Sequence, residues 1–287
     1  MGRVNRAIEL LEGRHTLIYS GVSDLSFEGG VKACHTDNDF LLLEQEHGPL
    51  NIPGVGDFMK GLASAGPTKS GHPTPPVLVT LPMQGTDEHV VRANAWMVVH
   101  YLACGVHGFV LCHAETPGAV KTLIESMRYS FQDLGVGDYL GQGRRGAGSN
   151  PGPIWGLETA EYLKRADVWP LNPEGELMVG LKIENQRALA NAEETCKVPG
   201  VAYVEWGPGD MGYSFGEPDS HDPPYSSQMA AARARVDAAR RAAGIDFCDL
   251  INADNYKERI DDNILICGGG PEVAALCREY TGRIMPA

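Results

Sequence analysis

Two acidic residues, Glu184 and Asp210, each end a largely apolar run, and one helix-length segment separates the two runs. The runs, residues 177–184 and 201–210, have the length and the bounding turn residues of strands buried on both faces. A carboxylate after such a strand lies at the edge where parallel α/β folds place their chemistry. Two neighbouring carboxylates can share one hard divalent cation. We therefore predict a metal site at Glu184 and Asp210; the alternative is that both are solvated strand caps.

A second polar group, Glu44-Gln45-Glu46-His47, ends another predicted strand at residues 39–47. Because side chains alternate along a strand, Glu44 and Glu46 should face one way, and Gln45 and His47 the other. Histidine exchanges protons near neutral pH, and a neighbouring carboxylate can orient it. The pattern favours an acid/base role for His47 over a purely structural, hydrogen-bonded histidine.

Strand and helix patterns alternate along the whole chain, which predicts six to eight βα units in a single α/β domain, residues 1–287. Polar residues at the predicted strand ends favour a (β/α)8 TIM barrel over a doubly wound sheet. A glycine-rich segment, residues 135–153, is expected to cover the barrel mouth, and residues 61–76 to form a loop. The predicted strands are 16–20, 39–47, 76–82, 108–113, 177–184, 201–210 and 263–270, with 282–286 as a truncated eighth; the predicted helices include 87–104, 116–130, 226–243 and 271–280.

Composition limits the function classes. The 287 residues are 43% hydrophobic, enough for a large core, and carry a net charge of −13. That charge argues against a nucleic-acid or anionic-membrane partner, since either needs a basic face. No apolar run approaches the ~18 residues of a membrane span, and the N-terminus lacks a signal-peptide core. Seven dispersed cysteines without a Cys-x-x-Cys pair indicate reduced thiols and a cytoplasmic protein.

Four motifs, in this order, resemble those of the HpcH/HpaI aldolases, a branch of the phosphoenolpyruvate/pyruvate-binding barrels that includes citrate-lyase β-type enzymes. Residues 39–49, DFLLLEQEHGP, are similar to the family's D-x-x-x-x-D-x-E-H-x-P segment. Residues 127–129 and 144–148 resemble its R-Y … G-x-R-G-x-G stretch. Residues 181–184, LKIE, resemble Q-I-E, and residues 207–210, GPGD, resemble G-P-A-D. The resemblance extends from about residue 10 to the C-terminus.

The resemblance implies that Glu184 and Asp210 ligate Mg²⁺ or Mn²⁺ and that His47 is the acid/base residue for the aldol hydroxyl. Gly207 and Pro208 would offer backbone groups to a substrate carboxylate. The implied activity is a divalent-metal-dependent carbon–carbon lyase that acts on a small molecule through a metal-stabilised enolate. The alternatives are a decarboxylase, an acyl-CoA lyase or a non-catalytic barrel that only binds a metal and a ligand. The family also implies a homo-oligomer, here joined through barrel faces and not by a swapped C-terminal helix, which would begin near residues 285–287.

Three positions depart from the family pattern. The arginine of the third strand's Arg-Pro is Leu81, the acid of an L-D-x-G segment is Ala103, and the glutamine of Q-I-E is Lys182. An arginine directed at developing negative charge lowers the barrier to reaction, so its loss needs compensation. Lys182 shares a strand face with Glu184 and could supply that cation as a catalytic group. The alternative is a structural ion pair with Glu184.

Two further side chains are predicted to contact the substrate. Gln45 lies beside His47, and His113 replaces an apolar family residue at the end of the fourth strand. Leu81, Met83 and Trp206 make the predicted mouth more apolar than a small acid requires. We therefore expect a larger or more aromatic substrate, as in aromatic catabolism.

Overall fold

The computed structural model describes residues 2–283, which form a closed barrel of eight parallel strands surrounded by helices. The sheet order is β4-β3-β2-β1-β9-β8-β7-β6, and pairing between β4 and β6 closes the barrel. A two-residue strand, β5, pairs with the first two residues of β6. The strands are β1 (Leu17–Val22), β2 (Phe40–Glu44), β3 (Val77–Thr80), β4 (Gly108–Leu111), β5 (Val168–Trp169), β6 (Leu177–Ile183), β7 (Tyr203–Trp206), β8 (Asp246–Leu250) and β9 (Ile266–Gly268). The predicted TIM barrel is confirmed.

The helices lie outside the strands, apart from the first, and a 3-10 helix spans Gly152–Trp155. No helix within residues 2–283 is both long and apolar enough to cross a membrane. The α-helices are α1 (Arg6–Glu12), α2 (Phe27–Ala33), α3 (Ile52–Ala65), α4 (Glu88–Ala93), α5 (Ala95–Ala103), α6 (Pro117–Met127), α7 (Thr159–Arg165), α8 (Gln186–Ala190), α9 (Ala192–Cys196), α10 (Pro208–Phe215), α11 (Ser227–Ala243), α12 (Tyr256–Asp261) and α13 (Pro271–Thr281).

Alternation along the strands divides the core into two layers. One set of side chains fills the barrel interior together with α1, which closes its N-terminal end; the other packs between strands and helices. The interior is crowded. A Cβ added at Gly180 would lie 2.2 Å from the ring of Tyr203, so only glycine fits there. Among the interior residues are Leu17, Tyr19, Phe40, Leu78, Val110, Met178, Tyr203 and Ile266.

Two predicted strands are shorter than expected, which changes where the polar residues lie. β2 ends at Glu44, so the alternation predicted for Gln45, Glu46 and His47 is wrong, because these residues form a loop. β7 ends at Trp206, and α10 begins at Pro208. Proline suits the first helical position because its missing N–H has no partner there and its φ is preset. Asp210 therefore lies in the first turn of a helix and not at a strand end.

Other differences lie away from the site. The predicted helix over residues 87–104 is divided at Asn94 into α4 and α5. The segment 135–153 follows α6 and connects a helix to the next strand, so it lies at the N-terminal end of the barrel and its predicted position at the mouth is wrong. Nearby, Trp155 donates a hydrogen bond to the carbonyl of Gly105, which precedes β4. β8 was not predicted. The loop predicted for residues 61–76 begins later than expected, because α3 continues to Ala65. Residue 282 follows α13, and residues 284–286 of the expected eighth strand lie outside the described residues.

Candidate active site at the C-terminal end of the barrel

Glu184 directly follows β6 and is buried, with 1% of its surface exposed. Its Oε1 accepts a hydrogen bond of 2.7 Å from the backbone N–H of His113. The turn after β7 passes close to its other oxygen, because a Cβ at Gly207 would lie 2.5 Å from Glu184 Oε2. Glycine at position 207 therefore makes room for the carboxylate between two strand ends.

The surroundings of Glu184 are short of positive charge. Its pKa is raised to about 8, chiefly by burial and also by the nearby Glu46 and Glu205, against the lowering effects of Lys182 and of the His113 N–H. Burial disfavours the charged form, and so do like charges close by. A cation bound beside Glu184 would offset both effects, so this environment suits a metal ligand.

Lys182 lies two residues before Glu184 on the same face of β6, as predicted. Its Nζ is 3.0 Å from Glu46 Oε2 and 4.0 Å from Glu184 Oε2, so Glu46 is its nearer partner. Burial alone would lower the pKa of Lys182, but Cys112 and the carboxylates of Glu205, Glu184 and Glu46 raise it well above the usual value. The side chain is thus a fixed ammonium group at the base of the mouth.

Glu46 is a site residue that the sequence reasoning did not single out. One of its oxygens pairs with Lys182, while the other, Oε1, is buried without a hydrogen-bond partner. A buried acceptor without a donor is uncommon and fits a position where a ligand supplies the missing contact. The family-like E-Q-E-H segment, residues 44–47, could have pointed to Glu46. Strand alternation did not predict the direction of its side chain, because the residue lies in a loop.

His113 brings an imidazole to the same place. Its φ of +48° is unusual for a residue with a side chain, and it lies just past β4. Its Nδ1 is 3.9 Å from Glu184 Oε1, and its Nε2 is 3.5 Å from Glu46 Oε1. His113, Glu184 and Asp210 each offer one possible ligand atom, and these atoms lie within 4.8 Å of one another. A cation between the two carboxylates would fit.

His47 lies at the solvent side of this group, with 59% of its side chain exposed. Its Nε2 is 3.9 Å from Asp210 Oδ2, and its Nδ1 is 3.5 Å from Glu44 Oε1. Glu44 Oε1 also accepts the backbone N–H groups of Glu46 and His47, at 2.6 and 3.0 Å. Although burial opposes it, these bonds and Lys182 lower the pKa of Glu44. The ionised Glu44 thus holds the turn that presents His47.

Gln45 points into the protein. Its Oε1 accepts hydrogen bonds from the Asn51 N–H and the Tyr101 hydroxyl, at 3.1 and 3.2 Å, and its Nε2 donates to the Glu44 carbonyl. The side chain therefore ties the loop after β2 to α3 and α5, and its substrate contact stays a prediction. Leu81, in place of the family's arginine, is fully buried in the hydrophobic core.

A cavity of about 240 Å³ lies at the ends of β7 and β8 and is lined by residues of both strands, including Glu205 and Asp249. Trp206 and Pro208, which flank Gly207, line it together with Tyr225. The Trp206 ring meets Tyr225 edge to face at 5.0 Å, and its indole N–H is buried without an acceptor. This cavity therefore has an aromatic wall on the two sides of Gly207 in the sequence, together with polar and charged lining residues.

Known proteins resemble this chain over most of its length. A hydroxypyruvate/pyruvate aldolase of Paraburkholderia phytofirmans is 25% identical over 227 residues, covering 78% of this chain and 76% of that protein. The crystal structure of an HpcH/HpaI aldolase/citrate lyase family protein from Burkholderia cenocepacia superimposes with a TM-score of 0.71 at 20% identity, covering 96% of each chain. The citrate lyase β subunit of M. tuberculosis, complexed with oxaloacetate and magnesium, gives a TM-score of 0.54 at 13% identity, covering 92% of this chain and 96% of that one. The family model for HpcH/HpaI aldolase/citrate lyase matches residues 31–262, and the chain belongs to this family.

Proposed function

We propose that the protein is a divalent-metal-dependent carbon–carbon lyase that cleaves a hydroxy-oxo acid by a retro-aldol reaction. The observation that carries the proposal is the buried Glu184, which has a carboxylate oxygen within 4.8 Å of a carboxylate oxygen of Asp210. The names of its relatives support an aldolase-type lyase, among them the hydroxypyruvate/pyruvate aldolase of P. phytofirmans.

Glu184 and Asp210 would hold Mg²⁺ or Mn²⁺, since carboxylate oxygens are the ligands these hard cations prefer. The unpartnered Glu46 Oε1 and the space left by Gly207 support this fit. When bound, such a cation supplies Lewis-acid polarisation of the oxygens of a 2-oxo acid. The M. tuberculosis relative with magnesium and oxaloacetate is consistent with this chemistry.

The protein's own groups then have separate tasks. His47, exposed at the mouth, takes the proton of the aldol hydroxyl as the carbon–carbon bond breaks, and the electron pair of that bond passes to the oxo-acid fragment. The ammonium of Lys182 stabilises the negative charge that develops there, in place of the family's arginine. Backbone groups around Gly207 and Pro208, at the start of α10, bind the substrate carboxylate, and Gln45 and His113 complete the substrate contacts.

The substrate is larger or more aromatic than a simple hydroxy-oxo acid. The cavity beside Gly207 supports this proposal, because Trp206 and Tyr225 form an apolar wall within it. An aromatic or extended apolar group on the aldehyde fragment could occupy the cavity while the oxo-acid end remains at the carboxylates.

A non-catalytic role in binding a metal and a ligand is the second candidate. Leu81 favours it, because a fully buried leucine stands where the family has its arginine. The two candidates differ in a direct way: a binding protein would hold the ligand without exchanging its protons.

The proposal is tested by the exchange of the C3 protons of pyruvate for deuterium in D₂O. NMR monitors this exchange in the presence of Mg²⁺ or Mn²⁺. We expect metal-dependent exchange in the native protein and its loss in Glu184→Gln. Asp57→Asn, which removes an exposed carboxylate on α3, is a matched control and should keep the exchange. Exchange that survives exhaustive chelation would contradict metal dependence, and pyruvate binding without exchange would favour the binding role.

Two wider proposals accompany the activity. All seven cysteines are unpaired thiols, which supports a cytoplasmic location. A homo-oligomer is supported by an exposed apolar surface on the connection after α6, whose members are Phe131, Leu134, Val136 and Tyr139. Light scattering should give a mass above that of one chain, and Phe131→Asp should lower it; a strict monomer would contradict the assembly.

A further inference from the structure

We propose that Asn185 holds His113 as the neutral tautomer with its proton on Nε2, and that this N–H donates a hydrogen bond to a substrate hydroxyl. His113 is then a substrate-binding donor and not a metal ligand, although it lies among the candidate ligands. The substrate contact rests on the proposed function, whereas the tautomer is a property of the protein alone.

The orientation of the Asn185 amide is fixed by two independent contacts. Its Oδ1 accepts the backbone N–H of Ala188 at 2.8 Å and so caps α8. Its Nδ2 donates to Glu115 Oε1 at 3.0 Å, and Arg187 holds the other oxygen of Glu115 at 2.8 Å. Reversing the amide would lose the cap and place its oxygen against a carboxylate. The nitrogen of Asn185 therefore faces Glu115 and His113.

This orientation determines which ring nitrogen of His113 accepts a hydrogen bond. The Asn185 Nδ2 lies 3.1 Å from His113 Nδ1, and an amide nitrogen has two hydrogens, one for Glu115 and one for the ring. His113 Nδ1 must accept, so it carries a lone pair and the proton of the neutral ring lies on Nε2. If Nδ1 carried a proton, its N–H would point at the N–H of the Asn185 amide, and two donors would face each other. With its lone pair used by Asn185, Nδ1 is not available to a metal.

The backbone keeps the ring in this position. The left-handed φ of His113 turns its N–H onto Glu184 Oε1, and the next residue, Ala114, donates to the Lys182 carbonyl at 3.0 Å. Both contacts are with β6 or the residue that follows it, so the imidazole is fixed relative to the carboxylate group.

The protonated Nε2 faces an acceptor that it does not reach well. It is 3.5 Å from Glu46 Oε1, which is long for a hydrogen bond, and that oxygen has no other donor. An oxygen about 2.9 Å from each atom can bridge the two from one side, about 2.3 Å off the line that joins them. A hydroxyl fits both, since it accepts from His113 Nε2–H and donates to Glu46. A carboxylate or ketone oxygen would instead be repelled by Glu46.

The tautomer can be tested without turnover. In protein carrying ¹⁵N-labelled histidine, long-range ¹H–¹⁵N correlations should show an unprotonated Nδ1 and a protonated Nε2 for His113, assigned by the peak lost in His113→Asn. Saturating Mg²⁺ should leave this pattern in place. A protonated Nδ1 in the native protein, or a shift typical of a metal-bound nitrogen, would overturn the proposal.

Asn185→Asp is the positioning test, because aspartate can still cap α8 but offers Nδ1 an acceptor instead of a donor. We expect the proton to move to Nδ1. Asn51→Asp is the matched control: Asn51 caps α3 by accepting the Gly54 N–H, so it repeats the chemical change away from His113, which should keep its tautomer. If Asn185→Asp does not fold, Asn185→Ser keeps a capping oxygen and should give a mixture of tautomers. An unchanged tautomer in the folded variant would refute the role of Asn185.

The hydroxyl contact is tested by comparing hydroxypyruvate with pyruvate in C3 exchange. His113→Asn tolerates the left-handed backbone but has no donor at the Nε2 position, whereas His113→Gln places its amide nitrogen close to it. We expect His113→Asn to lower exchange of hydroxypyruvate ~10-fold or more relative to pyruvate, with partial rescue by His113→Gln. Equal losses on both substrates would refute the hydroxyl contact. Absence of exchange in the native protein would instead count against the proposed function, and the NMR result would stand.

Discussion

The two ends of the barrel both bury charged side chains, but they balance them differently. At the N-terminal end, Asp167 receives both the Nε and Nη2 of Arg128, at 2.7 and 3.2 Å, as well as the Val168 N–H. Glu176 pairs with Arg165 and accepts the N–H groups at positions 4 and 5. These carboxylates have donors on both oxygens, so their charge is matched within the protein.

At the C-terminal end the balance is negative. The ammonium of Lys182 faces Glu46, Glu184 and Glu205, with Asp210 close by, and Glu46 leaves one buried oxygen unpaired. Burying a charged group without a partner is costly. A folded protein tolerates such a group where a bound ligand supplies the missing partner. The carboxylates at the N-terminal end therefore stabilise the fold, whereas those at the C-terminal end are suited to bind a cation and a substrate.

The largest effect should follow from removing a carboxylate at the mouth. Glu184→Gln and Asp210→Asn each delete a charged oxygen ligand, and we expect activity to fall on the order of 10³-fold with greatly weakened Mg²⁺ binding. Metal-dependent exchange at C3 of pyruvate and calorimetric titration with Mg²⁺ measure the two properties, and thermal melting checks that each variant is folded. Intact metal affinity in both variants would mean that the negative excess at the mouth does not serve a cation.

The opposite result is expected from breaking an ion pair at the N-terminal end. Arg128→Met leaves Asp167 buried without its partner, which should lower the free energy of unfolding by roughly 3 to 5 kcal/mol. Mg²⁺ affinity per folded molecule should not change. Urea unfolding and titration at low temperature check this, and a loss of metal affinity would show that the two ends are not independent.

Lys182→Met tests the cation at the mouth. We expect kcat to fall by ~10²-fold, while metal affinity changes far less, because a charge that acts on the transition state affects kcat more than ground-state binding. If metal affinity and stability changed instead of kcat, Lys182 would be a structural partner of Glu46 and Glu184.

A smaller effect concerns pH. Burial, with a smaller contribution from His72, lowers the pKa of His107 to about 3. The ring accepts the Val77 N–H and stacks on Trp155. The folded-state pKa lies below the unfolded value of about 6.5, so the stabilisation is present above pH 6.5 and is lost as the pH falls towards 3. Between pH 7 and 5 the free energy of unfolding should fall by about 2 kcal/mol more in the native protein than in His107→Asn. Parallel pH profiles in urea unfolding would contradict this assignment.

The sequence predicted the barrel and the position of Glu184 because both follow from long apolar runs, whose burial depends little on distant residues. β8 could not be predicted in this way. Its Asp246 and Asp249 interrupt the apolar pattern. They are tolerated because Arg14, distant in sequence, pairs with Asp246, and Arg233, on the preceding helix α11, pairs with Asp249. Charge pairing between remote segments leaves no periodic signal.

The site shows the same limit. Glu46 and Asn185 depend on loop geometry, since the first turns inward after β2 and the second acts through a cap and an amide orientation. Asp210 was predicted to be near Glu184, but the Gly-Pro step that begins a helix changed the element that carries it. Residue types were therefore a better guide than the predicted direction of their side chains.

Gly207 links the evolution of two positions, 207 and 184. A methyl group at position 207 would lie 2.5 Å from Glu184 Oε2 and 2.8 Å from Glu184 Cβ, closer than such atoms can pack. A lineage that acquires alanine there could not restore the fit by shortening the acid to aspartate, because aspartate keeps the Cβ, so the backbone of one of the two strand ends would have to move. Gly207 therefore limits which substitutions the active site can accept during evolution.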